Sequence, residues 1–452
     1  MSKLRLHGTS SGYTDIAPTA AAGNNTLTAP TGTGTIVAQD AAGAIGITSV
    51  QATNANFSGT TRITSGISTT LRVTTGISTT LQVGGVNVLN SDGVNTSGIV
   101  TATHFNPTVQ PYGTKNLIIN GAVLISQRNG TSNTTIASGA TYGPDRIAAR
   151  SQTGSGHVLS QNTESPAGFT YSAKVTIGTG GSPAAGNKNY LYQPIEGYNV
   201  AHLDAGTSDA KTVTFSFWVR SSVTGNFGAA ITSGAADHSY TFPYTINSAD
   251  TWEKKTKTIT LPTSGGTWNT GNTAGLIVFW DLGSGSDYEG TANQWNSALD
   301  VRSSSDVKLV ATSSATFYVT GIQLEVGSVA TPFEHRSQGD ELRKCMRYCQ
   351  KVFNAQLIGT MNTSARMRIM TNFPVPMRGT PSYTRTSTDL SFQKAASNET
   401  SSDTTEAQGA STATADGNAY ARTWDFGGFS SLADRTFIGG NGAHVFTLDS
   451  EM

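Results

Sequence analysis

Between Phe317 and Phe353 the period of the hydrophobic pattern changes, and the change requires a β domain that hands over to a helix. Phe317, Val319, Ile322, Leu324 and Val326 supply the apolar face of a strand, interrupted once by Gly321, and Val329–Pro332 reads as a turn. Beyond it Leu342, Cys345, Met346, Cys349 and Phe353 recur at helical spacing, with Arg343, Lys344, Arg347, Gln350 and Lys351 on the wet side. This stripe predicts one short amphipathic helix over 338–354.

Composition points the rest of the chain toward strands. Charged residues make up 13% of 452 residues, against a usual ~25%, and Gly numbers 50, about 11% against ~7%. A polar, uncharged, Gly-rich chain suits many short strands and turns and is poor material for long helices. Lys+Arg and Asp+Glu both number 29, so no net field draws the chain to nucleic acid or to an anionic membrane. No run approaches the ~18 apolar residues of a membrane span, and MSKLRLHGTS has no apolar segment of signal-peptide length, so assembly in a cytoplasm without membrane insertion is expected. Cys345 and Cys349 are the only two cysteines; their spacing lacks the further ligands of a metal site, and buried reduced thiols are expected.

The chain divides into five stretches. Residues 1–56 offer only short candidate strands, Leu4–Leu6, Asn25–Ala29, Gly34–Ala38 and Gly46–Val50, which need a partner or neighbouring copies to complete them. Residues 57–113 carry a ten-residue repeat, SGISTTLRVT at Ser65–Thr74 and TGISTTLQVG at Thr75–Gly84. Its evenly spaced Ile67, Leu71, Ile77 and Leu81 cannot be buried by one chain, whereas three chains about an axis form a β-prism-like shaft without open edges. A flexible linker is the competing reading. Leu342 and Met346 on the helix stripe are further trimer-interface candidates. Residues 114–337 hold eight strand signals, Tyr171–Ile177, Tyr190–Ile195, Thr212–Arg220, Phe227–Ile231, Ser239–Tyr244, Trp252–Leu261, Gly275–Trp280 and Ala315–Val326, which fit a two-sheet jelly-roll β-sandwich. Asn116–Ile125 reads as an apolar opening strand. After the helix, 355–452 reads as a small β tip domain with a loop over Lys394–Gly417.

Two segments resemble a known family. NLIINGAVLISQRNG at Asn116–Gly130 and GIQLEVGSVATPFEHRSQGDELRKCMRYCQ at Gly321–Gln350 are similar to the segments that open and close a module of tail-fibre and related appendage proteins of tailed bacteriophages. YGPDRIAA at Tyr142–Ala149 matches a Tyr-x-x-Asp-Arg element there. The resemblance covers roughly 115–353. It implies a carbohydrate-binding-like jelly roll on a virion fibre. With the repeat and the short amino-terminal strands, the chain reads as a homotrimer docked through its amino-terminal part on a tail or adaptor protein, with a host cell-surface glycan as ligand in adsorption. A head, neck or capsid-vertex decoration fibre is the alternative, and a polysaccharide-degrading enzyme is the third reading.

No catalytic motif or cofactor site is visible. The seven histidines never fall at metal-ligating spacing, and P-loop and HExxH patterns are missing. Asp281, Asp287 and Glu289 in WDLGSGSDYEG are the acids a glycosidase would need in a fixed pair, although the pattern is commoner in a surface loop. Binding is better supported. Aromatic faces stack on the C–H side of a sugar while amides and carboxylates bond its hydroxyls. Trp268, Tyr288 and Trp295 with Asp287 and Asn293, all within Ser264–Ser297, are the glycan-binding candidates, Trp268 and Trp295 being expected as the exposed pair and Trp252 and Trp280 as core. A Trp that plugs the end of the sandwich is the competing reading.

Overall fold

The computed structural model describes residues 4–7, 13–16, 81–83, 86–90, 93–94, 115–353, 359–363, 366–385, 390–394, 400–403, 405–407, 411–413, 419–427, 436–440 and 445–452. The chain forms two compact units, Met1–Ala102 and Thr103–Met452. In the first, Leu4–His7 pairs antiparallel with Tyr13–Ile16, and Leu81–Val83, Val86–Asn90 and Gly93–Val94 form a three-stranded antiparallel sheet. Leu81 opens one of these strands, whereas Ile67, Leu71 and Ile77 lie outside the described residues, as do the expected strands Asn25–Ala29, Gly34–Ala38 and Gly46–Val50.

The second unit is mainly β. Its centre is a sandwich of β1 (Ser172–Thr176), β2 (Asn189–Glu196), β3 (Thr212–Ser221), β4 (Gly225–Ser233), β5 (Ser239–Ile246), β6 (Glu253–Thr260), β7 (Ala274–Asp281) and β8 (Thr316–Val326). One sheet runs β6-β3-β8-β1 and continues into Val158–Asn162 and Thr134–Thr135. The other runs β5-β4-β7-β2, with Gln294–Asn296 beyond β5, and Ala148–Ser151 and Thr141–Tyr142 beyond β2. All these pairs are antiparallel, and the orders 6-3-8-1 and 5-4-7-2 are those of a jelly roll.

Alternation explains the core. In β3, Val213, Phe215, Phe217 and Val219 are fully buried between the sheets, where Phe215 and Phe217 lie 5.5 and 5.6 Å from Trp280 of β7. Trp280 is core, as expected. Trp252 is not: it precedes β6, stands half-buried and meets Tyr318 edge-on at 6.0 Å.

The interruption at Gly321 becomes a bulge. Between Ser216 and Trp218 the register of β3 against β8 shifts, and Gly321 has φ +58°. A Cβ there would stand 2.8 Å from the Trp218 ring, so the position calls for glycine.

Asn116–Ile125 is not the strand its apolar run suggests. Asn120 and Val123 have φ of 61° and 55°, which break any extended run. Instead the segment is clasped to the bulged strand. The Asn116 side chain donates to Ile322 O (2.9 Å) and accepts from Ile118 N (3.0 Å) and Leu324 N (3.1 Å), and Leu117 N donates to Leu324 O (2.9 Å). Glu334 accepts from Asn116 N (2.8 Å), and Arg336 donates to Ile118 O (3.0 Å). The two segments that carry the family resemblance thus bond to one another.

The helix α1 spans Gln338–Met346, shorter than the expected stretch to 354. Ser337 caps it by accepting from Asp340 N, with Asp340 and Glu341 in the first turn and Arg343 and Lys344 in the last, as the helix dipole favours. Tyr348 N then closes a turn on Cys345 O (2.9 Å), and Cys349–Phe353 is a strand paired with Val445–Asp449. The stripe is covered from within the chain: Cys345 and Tyr348 are buried with Ile119 and Ile125, and Leu342 packs beside them. Leu342 is half-buried in this packing. Met346 is half-buried. Both cysteines are buried free thiols.

Beyond α1, Ser382–Arg385 joins Val445–Asp449 and Cys349–Phe353 in a three-stranded sheet, and a larger sheet is built around Arg366–Met377 and Ala419–Gly427. Thr400–Asp403, Thr405–Ala407 and Ser411–Ala413 are strands within the stretch Lys394–Gly417 that reads as a loop. The last residues return to the sandwich. Arg128 meets Asp449 (2.9 Å) and Glu451 (3.2 Å), buried Arg146 pairs with Glu451 and lies 3.6 Å from the centre of the Tyr348 ring, and Arg378 donates to Ser450 O (2.8 Å).

Candidate functional site

The outer face of the second sheet carries aromatic rings where alternation would place polar residues. In β2, NYLYQPIE, Leu191 and Ile195 enter the core, so Tyr190 and Tyr192 face outward. Register sets Tyr192 opposite Phe279 of β7, and Phe279 opposite Ala230 of β4. The Tyr192 and Phe279 rings stack at 5.6 Å, and Tyr190 stands edge-on to both, at 5.5 and 5.0 Å. Tyr190 and Phe279 are buried in this second cluster, while Tyr192, Ile277, Tyr288 and Leu299 are its half-exposed rim.

The segment after β7 folds over part of this face, held by the fully buried Arg302. Its guanidinium lies 3.4 Å from Asp281 and pairs with Glu289 and with Ser284 O. Burial pushes the Asp281 carboxyl up to about 6, against the hydrogen bonds of Ser284 and Gly283 and the charge of Arg302. Two of the three acids in WDLGSGSDYEG thus clamp one arginine, a structural task. Asp287, the third, is exposed on the short turn that presents Tyr288.

Around the rim stand groups suited to hydroxyls. Lys188 Nζ lies 5.4 Å from the centre of the Tyr288 ring. Arg150, opposite Tyr190 in the next strand, is half-buried and hydrogen-bonds the Tyr190 hydroxyl. Tyr288 and Asp287 therefore come together with Lys188, and with Tyr192 and Arg150 on the same sheet face. Sequence reasoning missed Tyr190, Tyr192, Phe279, Lys188 and Arg150. The available signal was a pair of tyrosines two apart on the face opposite Leu191 and Ile195.

Trp268, Trp295 and Asn293 belong to a different place. Trp295 pairs with Tyr240 at the edge of the second sheet, stacks on His238 at 5.7 Å and meets Trp268 edge-on at 5.7 Å. Its Nε1 donates to Thr260 O (3.0 Å) of β6, the edge strand of the other sheet, and Trp268 Nε1 donates to Gly265 O (2.8 Å). Asn293, with φ 64°, accepts from Lys257 Nζ (2.6 Å), also on β6. Both tryptophans are half-buried against the core rather than the exposed pair expected. Together they close the open side of the sandwich, because one edge strand of each sheet would otherwise be left apart there. Trp268 also lines a cavity of about 210 Å³ with Leu203, Asp204 and Asn269.

Among the described residues no group of three or more His, Cys, Asp or Glu is placed to hold a metal, and no helix is long and apolar enough to cross a membrane.

No family model and no curated protein matches the chain. Among solved structures it is similar to the enzymatically active domain of tailspike protein 4 of bacteriophage CBA120, at 12% identity over 47% of this chain, with a TM-score of 0.23; the match spans 21% of that domain. It is similar to a CBM4 module (17% identity, 46% of this chain and 98% of that one, TM-score 0.24). It is also similar to the CBM22-1 xylan-binding domain of Paenibacillus barcinonensis Xyn10C (12% identity, 45% and 99%, TM-score 0.21). Likeness at this level assigns no function, and the jelly roll rests on the chain's own strand pairing.

Proposed function

We propose that the chain is a structural fibre of a tailed-phage virion whose sandwich binds a host surface glycan, a non-enzymatic adsorption protein assembled as a homotrimer. The observation that carries the binding reading is the outer face of the second sheet. Tyr288 and Tyr192 there form the half-exposed rim of an aromatic cluster, flanked by Lys188, Asp287 and Arg150. Rings present a flat apolar surface to the C–H side of a sugar, and the charged groups beside them bond its hydroxyls. Weak single sites suffice when several copies on one particle engage together.

The virion role is supported by the paired family-like segments, which bond across the module, and the trimer by the repeat in Ser65–Gly84. The amino-terminal residues 1–56 would dock on a tail or adaptor protein.

The test is a glycan array probed with the full chain, followed by titration of the best ligand into Tyr288→Ala. Loss of a stacking ring is worth about 0.5–1.5 kcal/mol beyond its area, so affinity should fall about two- to tenfold with little change in melting temperature. An array on which no glycan binds, or a variant that binds as the wild type does, would refute the site. A monomer mass in light scattering would refute the trimer, and release of reducing ends from host polysaccharide would refute the non-enzymatic reading. Imaging of the virion would separate a tail fibre from a head, neck or capsid-vertex fibre.

A further inference from the structure

A second cavity, of about 620 Å³, lies away from the aromatic face, walled by α1, the Glu334–Ser337 segment, Ile119 and Val375. Its size falls within the ~300–1,000 Å³ usual for small-molecule sites. On and beside its wall stand four cations, Arg336, Arg343, Lys344 and Arg347, and four carboxylates, Glu196, Glu334, Asp340 and Glu341. Arg336 is held by Glu334 (2.9 Å) and Glu341 (3.4 Å), and Arg347 by Glu196 (2.7 Å). Asp340 accepts the Ser337 hydroxyl (2.6 Å) as part of the helix cap. Arg343 and Lys344, which also line the cavity, form no ion pair with any described residue. The Nε of Arg336 is buried without a partner among the described residues.

Lys344 is half-buried, and an ammonium in that position is costly unless an anion meets it. Burial first, then the neighbouring Arg336, lowers its pKa, and together they outweigh Glu341, Glu334 and Asp340. Among the described residues, Arg343 and Lys344 are therefore the two cations of the wall not held in an ion pair, and of the four carboxylates Asp340 alone is outside one, in the helix cap. Ile119 and Val375 add apolar wall.

We propose that this cavity binds a small organic anion, a carboxylate- or phosphate-bearing sugar. Lys344 and Arg343 meet its charge, and Ile119 and Val375 meet its C–H faces. The inference does not rest on the glycan reading of the outer face, since the two sites share no residue.

The experiment is calorimetric titration of the full chain at low ionic strength, where screening is weak, with glucuronate, glucose 6-phosphate and glucose. Glucuronate or glucose 6-phosphate should bind at least tenfold more tightly than glucose, and the tighter of the two identifies carboxylate or phosphate as the preferred head group. The double variant Arg343→Gln, Lys344→Gln should weaken that binding at least tenfold, while Tyr288→Ala leaves it unchanged. Anions that bind no better than glucose, or a double variant that binds as the wild type does, would overturn the proposal.

Discussion

Replacing Asn116 with Ala should destabilise the sandwich by about 3–5 kcal/mol, although the side chain is small and makes no apolar contact of note. One amide serves three backbone groups: it donates to Ile322 O and accepts from Ile118 N and Leu324 N, at 2.9, 3.0 and 3.1 Å. Asn116 is 3% exposed, so water cannot replace these bonds. A buried backbone group left unsatisfied costs about 1–3 kcal/mol, and three at the lower part of that range give the figure. With a urea slope of roughly 2–3 kcal/mol/M, the midpoint should fall by about 1–2 M at unchanged slope. Tryptophan fluorescence, dominated in the core by Trp280, reports the transition. Asn116→Asp separates the contributions, because it keeps two acceptor bonds, loses the donor bond to Ile322 O and adds a charge, and should be no better than Ala. A midpoint shift below about 0.3 M for Asn116→Ala would refute the reasoning, since the clasp would then be incidental to folding.

Trp295→Ala should cost about 2–4 kcal/mol, less than the ~3–5 of a fully buried Trp because the ring is half-exposed, with the bond to Thr260 O included; thermal unfolding measures it, and an unchanged melting temperature would mean that the side of the sandwich is closed by other groups. Asp237 is held at about 2, below the ordinary carboxyl, by hydrogen bonds from Ser233 and Thr267. Its folded pKa lies below its unfolded one, so its contribution is complete above pH ~4 and is lost as pH falls through about 2. The amide proton of Thr267, whose nitrogen lies 2.9 Å from Asp237 Oδ1, should titrate in NMR with a midpoint near 2 and not at all in Asp237→Asn; a midpoint at the ordinary 3.8 would contradict the bond network.

How far the sequence could be read depended on whether a residue's partners were local. The strands of the sandwich were visible because period-two burial is a property of each strand alone: Val213, Phe215, Phe217 and Val219 reach the core in the alternation their order implies. Asn116–Ile125 is equally apolar, but its side chains divide. Ile118 and Val123 join the sandwich core while Ile119 and Ile125 join the cluster under α1, and the positive φ at Asn120 and Val123 that splits them has no apolar signature. The helix ended early for a related reason. Cys349 and Phe353, four apart, fit one face of a strand as well as a helical stripe, and pairing with Val445–Asp449, far along the chain, decides between them. At the candidate site, Tyr288 and Asp287 were found through their loop. Tyr190, Tyr192 and Phe279 looked like ordinary strand residues until cross-strand register placed them on one face. The tryptophans misled because Gly- and Ser-rich surroundings suggest exposure, whereas Trp295 reaches across to the other sheet.

The place of β8 governs the order in which the module can be made. It is the last of the eight strands to leave the ribosome, yet it lies between β1 and β3, and its residues also receive the Asn116 clasp. Until Thr316–Val326 has emerged, the first sheet exists as two fragments with facing open edges, and the earliest residues of the module have nothing to bond. Loop closure over such separations is slow, and open edges pair readily with those of other chains. Nascent chains crowded on one message are therefore held incomplete for most of their synthesis. The low charge that suits the finished surface gives them little electrostatic protection during that wait.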